Sequence, residues 1–458
     1  MITIFAAFTV AATLQPSPTP AIRAAVAATG TPGLVAVAVD RNGIVYAEGF
    51  GLRDKERKLP VTLNTRFYIA SSTKSFNALA ALLAGVDIDA PLDKTLPKLK
   101  LPPPLDPARM SLRDLMTHRL GFTNDPIVFR TSYTGNWDDE WIWSAMTRFT
   151  KVTPRVYEYD NLGYNLLGYT IAPWQDTVAQ RVLAPAGLSS TTTRVPPAGA
   201  EVAVPYTISS SGWLRVDPKT PRQMHAAGGM YSTANDLARW LRIQLGEGAL
   251  DGKQIFPRRV IRETQSPQIH FKQRFQRYDR FAYGLGWVLA DFDGDLLLHH
   301  FGGYPGAQAH VSFMPERGLG IAVLTNSDGP FAHTVASYLY DVILRKPDAD
   351  AKLAEGVKRM QDAISRAPAS ERARLEKAVA ALSLGADRTV ASIAGSWTSP
   401  ELGTLTIAPS GAARIGDLHG TIEPYRGTAF VFRNNGNAEL LYIRADSSLI
   451  WQEVAFRR

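Results

Sequence analysis

The segment "GLVAVAVDRNGIVYAEGFG", beginning at Gly33, holds two apolar runs on either side of Asn42-Gly43. That pattern predicts a β-hairpin, because Asn-Gly supplies the positive φ angles of a tight two-residue turn. "AIRAAVAAT" before it predicts a short helix. The chain then runs through a Pro-rich loop and "SLRDLMTHRLGF", a predicted helix stopping at Gly121. From there to about Pro257 the pattern predicts mostly helices with long loops, including the Trp-rich "NWDDEWIWSAM". Strands return in "AYGLGWVLADFDGDLLLHHFGG" and "AHVSFMPERGLGIAVLTN", each a strand, turn and strand, and "FAHTVASYLYDVIL" closes the unit as a helix. Strands at both ends of a helical middle predict an α+β architecture, with one sheet assembled from distant parts of the chain.

Residues 347–387 carry a different signal. "AKLAEGVKRMQDAISRAPASERARLEKAVAALS" is Ala- and charge-rich with helical periodicity, interrupted at Ala367-Pro368, and predicts two linker helices. From about Asp387 short alternating runs take over ("TLTIAP", "AFVFRNNGN", "ELLYIRA", "LIWQEVAF"), predicting a separate small all-β domain over 388–458.

Length and composition narrow the class. At 458 residues two or three units are expected. Hydrophobic residues at 45% and charged ones at 20% are ordinary globular usage and exclude disorder. The net charge of +8 is scattered and forms no nucleic-acid motif. Its densest cluster, Lys272, Arg274, Arg277 and Arg280 interleaved with Phe271, Phe275 and Tyr278, predicts a solvated loop, with an anionic surface or substrate as the sharper reading. The absence of cysteine removes disulfides, thiolate metal sites and Cys nucleophiles. Ile2 to Leu14 is apolar and too short to span a bilayer, and a Pro/Ser/Thr spacer follows it. It suits the apolar core of a signal peptide, although no basic segment precedes it and no cleavage site is crisp. Residues 1–22 are therefore expected to be a leader and spacer, and the protein periplasmic or secreted.

Three stretches carry chemistry. In "YIASSTKSFNALAAL" Ser71 and Lys74 are three apart, which on a helix beginning at Ser71 places them on one face. A serine hydroxyl becomes a useful nucleophile when a neighbouring base takes its proton, and an amine does so once burial depresses its pKa. Alone, this stretch favours the plainer reading, Ser71 or Ser72 capping a helix that happens to contain lysine. "VYEYDNLGYNLLGY" holds Tyr159-Asp160-Asn161, a phenol able to relay a proton beside an amide able to hold a substrate carbonyl; a tyrosine-rich helix start capped by Asp160 or Asn161 is the bland alternative. "LLLHHFGGYPGA" ends a predicted strand in His300-Phe301-Gly302-Gly303, where glycine lets a substrate lie along the strand edge and backbone N–H groups can face an oxyanion. Each is ordinary singly. The order S-x-x-K, Y-x-N, H-x-G is not.

These elements resemble the serine β-lactamase and penicillin-binding superfamily, in its class C-like branch, over roughly residues 23–346. "LRDLMTHRLGF", "AAGGMYSTANDLARWL" and "YGLGW" are similar to further family segments. The resemblance implies an antiparallel sheet flanked by helices with an inserted helical subdomain. It implies that Ser71 is a nucleophile forming an acyl-enzyme, Lys74 its proton acceptor and Tyr159 a general base or proton shuttle. Asn161, His300 and Gly302 would contact substrate, and the backbone N–H groups of Ser71 and Gly303 would form the oxyanion hole. His118, in a matching segment, reads as structural.

Four departures stand out. His300 occupies the place of the lysine in the family's K-T-G, exchanging a permanent cation for a titratable one; H-x-G is closer to D-aminopeptidase and esterase-type relatives. Arg119-Leu120 stands where Thr-Ser is usual. The run between Lys74 and Asp87–Pro91 is short, so the catalytic helix is expected to end early. Asp160 fills a usually small position.

The tail around "IAGSWTSPELGTLTIAPSG" resembles the lipocalin-like barrel appended to many such hydrolases, with Trp397 at a tyrosine position; it would support packing, narrow the cleft or mediate a homodimer. No metal or other cofactor is implied, since His299 and His300, adjacent on a strand, face opposite ways. The sequence thus points to a serine hydrolase of small amides or esters. A β-lactamase or D-alanyl-D-alanine carboxypeptidase, or a non-catalytic acyl-binding sensor, are the competing readings.

Overall fold

The computed structural model describes residues 17–209 and 212–458; the apolar stretch Ile2–Leu14 and its leader reading lie outside them. A nine-stranded antiparallel sheet organises the first unit. From one edge it runs Ile269–Phe275, Tyr278–Tyr283, Val288–Phe292, Asp295–Tyr304, Ala307–Met314 and Leu319–Thr325, followed by the N-terminal strands Gly33–Asp40, Ile44–Asp54 and Leu59–Pro60. The N-terminal hairpin joins the last strand in the register Leu34↔Thr325 to Asp40↔Leu319. Residues from Leu34 to Val39 are all buried, as expected of a strand covered by helices on both faces. One face packs on Thr73–Leu83 and Ala234–Leu245, with Phe76 stacked on Trp240 at 4.1 Å. The other packs on Thr19–Thr29, Phe331–Ile343 and the start of Ala349–Ala380.

Three local expectations are corrected. "SLRDLMTHRLGF" is helical only over Leu112–Met116, capped by a reciprocal Ser111–Asp114 pair. It stops before Gly121 because His118 takes a left-handed φ of 58°. Arg119 then turns back to Asp114 (Nη2 to Oδ1 2.6 Å), which Arg155 also pairs; the unusual Arg119 thus serves a structural ion pair. The basic cluster is a β-hairpin at the sheet edge rather than a loop, with Arg277 paired to the buried Asp341 at 2.6 Å. The two linker helices are one helix, Ala349–Ala380, with Pro368 inside it. Its first half is anchored by buried Leu353 and Met360 and its second by Leu375 and Val379. Pro368 is exposed, and the helix continues through it with one i→i−4 hydrogen bond fewer.

The C-terminal unit is an eight-stranded antiparallel barrel from Gly395–Ser399 to Val454–Phe456, each strand pairing with the next in sequence. Reciprocal backbone hydrogen bonds between Thr398 and Arg457 (2.7 and 3.0 Å) join its first and last strands. Side chains including Trp397, Phe430, Phe432, Trp451 and Phe456 fill it. Phe129 of the first unit meets Trp451 edge-on at 5.4 Å. The Arg130 guanidinium donates to the carbonyls of Glu401 (2.7 Å) and Pro400 (3.0 Å), and Thr220 donates to Asp417 (2.6 Å). The barrel therefore docks on the helical middle of the first unit.

Candidate active site

Ser71 lies in a tight turn rather than at a helix start. Phe67–Tyr68 pairs with Tyr231–Ser232, and the Ile69 N–H donates to the Met230 carbonyl at 3.0 Å. Ala70 then takes a φ of 43°, a conformation that costs a non-glycine residue about 1 kcal/mol or more and that the surroundings must enforce. Ala70–Ser72 form one 3₁₀ turn, and the α-helix begins at Thr73 and runs to Leu83. Ser71 is half-buried while Ser72 is buried. Ser72 does not cap the helix; its Oγ donates to the His300 carbonyl at 2.8 Å, tying the turn to strand Asp295–Tyr304. The closeness of that strand requires Gly302, where a Cβ would fall 2.0 Å from the Ile69 carbonyl oxygen.

Lys74 is completely buried. Its Nζ lies 3.1 Å from Ser71 Oγ, 2.7 Å from Asn161 Oδ1 and 2.8 Å from the Ala227 carbonyl oxygen. The last two are obligate acceptors and each takes an N–H. In the neutral amine, which has two N–H bonds and one lone pair, the lone pair is thereby aimed at the Ser71 hydroxyl. Burial lowers the Lys74 pKa from 10.5 to about 7, with the Asp160 charge opposing it. The amine is thus poised between its two forms near neutrality.

Tyr159 flanks this pair with its ring 4.9 Å from Lys74 Nζ and 44% exposed, open to solvent at one side. Burial of the hydroxyl raises its pKa well above 10, with a hydrogen bond to Ser71 opposing, so it remains a phenol. Asp160 does not cap by chance: its Oδ1 accepts from the Leu162 N–H, and its own N–H donates to His118 Nδ1 at 3.2 Å. His118 is fully buried among the rings of Tyr159, Tyr164 and Tyr283 and held neutral by burial, then by the nearby Lys74 charge. Its role is to hold the Tyr159-Asp160-Asn161 turn. Asn161 makes no cap either; its carbonyl oxygen serves Lys74.

His300 departs from expectation. It faces the Ser71 turn but is 3% exposed. Its Nδ1–H donates to the Phe301 carbonyl at 3.0 Å, leaving Nε2 to accept from the Tyr283 hydroxyl at 3.1 Å. Burial first, then the Lys74 charge, lowers its pKa to about 3. It is a neutral ring, not the titratable cation that the histidine-for-lysine exchange suggests. His299 points the other way, stacked on Phe301 at 4.0 Å. Gly303, next in the strand, is exposed and sits opposite Gln308.

The structure therefore brings Ser71, Lys74, Tyr159, Asn161, His300 and Gly302 to one place. Sequence reasoning missed the segment that supports them. Besides the Ala227 carbonyl on Lys74, Asn77 Nδ2 donates to the Ala226 carbonyl at 2.9 Å. Asn165 Oδ1 accepts the Ala227 N–H at 3.2 Å and the His225 Nδ1–H at 2.9 Å. A main-chain acceptor has no side-chain signature; only the match of "AAGGMYSTANDLARWL" to a family segment hinted at it. Among the described residues, no group of three or more His, Asp or Glu side chains is arranged to hold a metal ion.

The beta-lactamase family model matches residues 19–344. The chain belongs to the beta-lactamase family. Within it, the chain is 25% identical over 354 residues to the unguisins hydrolase of Aspergillus campestris, covering 69% of this chain but only 62% of the relative. It is 23% identical over 344 residues to a beta-lactamase of Pseudomonas fluorescens, covering 66% of this chain and 90% of that one. Among solved structures, the octameric penicillin-binding protein homologue of Pyrococcus abyssi superposes with a TM-score of 0.62 at 22% identity, covering 96% of this chain and 98% of that one. The D-amino acid amidase of Ochrobactrum anthropi gives 0.59 at 24% identity, with 74% and 99% covered. These likenesses show that the chain shares the fold of these proteins.

Proposed function

We propose that this chain is a serine hydrolase that cleaves a small amide or ester through an acyl-enzyme on Ser71. The observation that carries the reading is the Lys74 amine, buried, at 3.1 Å from Ser71 Oγ and with its other two contacts committed to acceptors. Neutral Lys74 takes the Ser71 hydroxyl proton as Oγ bonds to the substrate carbonyl carbon. The carbonyl electron pair moves to oxygen, where the backbone N–H groups of Ser71 and Gly303 receive it. As the tetrahedral species collapses, the bond to the leaving group breaks and that group takes a proton from Lys74 through the Tyr159 hydroxyl. Water then repeats the sequence on the ester and frees Ser71. The raised pKa of Tyr159 favours it as a relay over a phenolate base, leaving Lys74 as the base. The Asn161 amide N–H₂, His300 and Gly302 would orient the substrate.

Amidase or esterase activity is favoured over β-lactamase or D-alanyl-D-alanine carboxypeptidase activity because neutral His300 supplies no cation for a substrate carboxylate. The experiment is a panel of p-nitrophenyl esters, D-amino-acid amides and nitrocefin, with fluorophosphonate labelling. Labelling and turnover are expected to vanish in Ser71→Ala, a loss on the order of a thousandfold or more. Labelling that persists in that variant refutes Ser71. No labelling of the parent favours the acyl-binding sensor, and nitrocefin as the best substrate favours the β-lactamase.

Export to the periplasm or outside belongs to the same reading, on the strength of the apolar stretch Ile2–Leu14, and cell fractionation checks it. Among the described residues no helix is long and apolar enough to cross a membrane. Homodimerisation, suggested by the appended β-domain, is checked by light scattering.

A further inference from the structure

Behind the catalytic lysine, within the helical middle of the first unit, lies a cavity of about 270 Å³. None of Ser71, Lys74, Tyr159, Asn161 or His300 lines it. Three aromatic side chains, Trp137, Tyr169 and Trp174, form much of its wall, and Asp139 is the one formally charged residue on the lining among the described residues. Asp139 is exposed, and its Oδ1 accepts from the Tyr169 hydroxyl at 2.9 Å. Asp138, next to it, adds a second negative charge that acts on Tyr169. The inner wall is polar but satisfied: Asn165 Oδ1 is shared by the His225 Nδ1–H and the Ala227 N–H. His225, buried, is kept neutral chiefly by desolvation.

Aromatic faces attract cations through their ring quadrupole, and a carboxylate at the rim adds charge of the same preference. An apolar cavity with a few convergent polar groups is the usual form of a small-molecule site. At about 30 Å³ per water-sized group, 270 Å³ holds on the order of nine heavy atoms. We propose that this cavity is a second ligand site for a small organic monocation. An aryl- or alkylammonium would place its apolar body between the indoles and Tyr169 and its ammonium at Asp139. Among the described residues an anion finds no cationic side chain on the lining. The site is independent of the hydrolytic reading, since it uses none of the residues assigned to that reaction.

Calorimetric titration of the full chain with phenethylammonium, and with phenethyl alcohol as its neutral isostere, tests this. The ammonium is expected to bind at least tenfold more tightly than the alcohol. Asp139→Asn is expected to bring the two within about twofold of each other, with unchanged esterase activity. The titration is repeated on Ser71→Ala and on fluorophosphonate-labelled protein, where the affinity is expected to be the same. Absence of binding at millimolar ammonium, equal affinity for the alcohol, or insensitivity to Asp139→Asn overturns the proposal. So does loss of binding on labelling, which would place the ligand in the Ser71 cleft. Loss of activity in Ser71→Ala with ammonium binding retained supports both sites separately; failure of the hydrolytic reading with binding retained supports this one alone.

Discussion

If neutral Lys74 is the base, the rate must follow its deprotonation. Its pKa of about 7 predicts that kcat/KM for a p-nitrophenyl ester falls tenfold per pH unit below neutrality. At pH 5 it should be about a hundredfold below the alkaline plateau. The same titration appears in stability. The unfolded chain holds the lysine proton up to 10.5 and the folded one only to about 7. The full cost is therefore present below pH 7, and stability rises with pH between the two values as the unfolded state binds more protons. At about 1.36 kcal/mol per pH unit the whole interval amounts to about 5 kcal/mol. Lys74→Met lacks the titration. The difference in unfolding free energy between that variant and the parent should therefore move in the parent's favour by about 2.7 kcal/mol between pH 7.5 and 9.5, read from urea midpoints. Asp160→Asn sharpens the test. The Asp160 charge raises the Lys74 pKa, so its removal should move the acidic limb to lower pH, while the amide oxygen keeps the bond from the Leu162 N–H. A profile flat down to pH 5, or a limb that moves upward in Asp160→Asn, would refute the assignment of Lys74 as the base.

Three further outcomes are expected. Gly302→Ala places a Cβ 2.0 Å from the Ile69 carbonyl oxygen. The strand or the Ser71 turn must then shift by about 1 Å, and kcat/KM should fall on the order of a hundredfold; activity within threefold of the parent contradicts the close approach. His300→Gln removes a ring already neutral above pH about 3, so the acidic limb should stay in place while KM changes. A displaced limb means that His300 titrates in the working range. Arg130→Ala strips the barrel's Glu401 and Pro400 carbonyls of their charged donor and should weaken docking by about 2–4 kcal/mol. Scanning calorimetry should then resolve a separate barrel transition, and a single unshifted transition would show that the docking lies elsewhere.

The strands were legible because their signal is local. "LVAVAV", Leu34 to Val39, is apolar throughout, which is what a strand covered on both faces requires, and Asn42-Gly43 specifies its own turn. The barrel's alternation over 388–458 is likewise written along the chain. S-x-x-K, Y-x-N and H-x-G gave the candidate residues as types and as an order. Elements set by competition with distant contacts were misread: Pro368 sits in a continuous helix because Leu353, Met360, Leu375 and Val379 anchor both halves. Ser72, a plausible cap in the sequence, gives its hydroxyl to the His300 carbonyl instead.

The sequence by itself determined which side chains are available to react and which segments carry them. The tertiary structure alone decided their chemical state. Lys74 is poised near neutrality, and His300 is neutral rather than cationic, because burial penalises charge, and burial is a property of the whole packed surroundings. The third partner of Lys74, the Ala227 carbonyl, is invisible in any residue type, since every residue carries that acceptor and only the fold chooses which one lies 2.8 Å away.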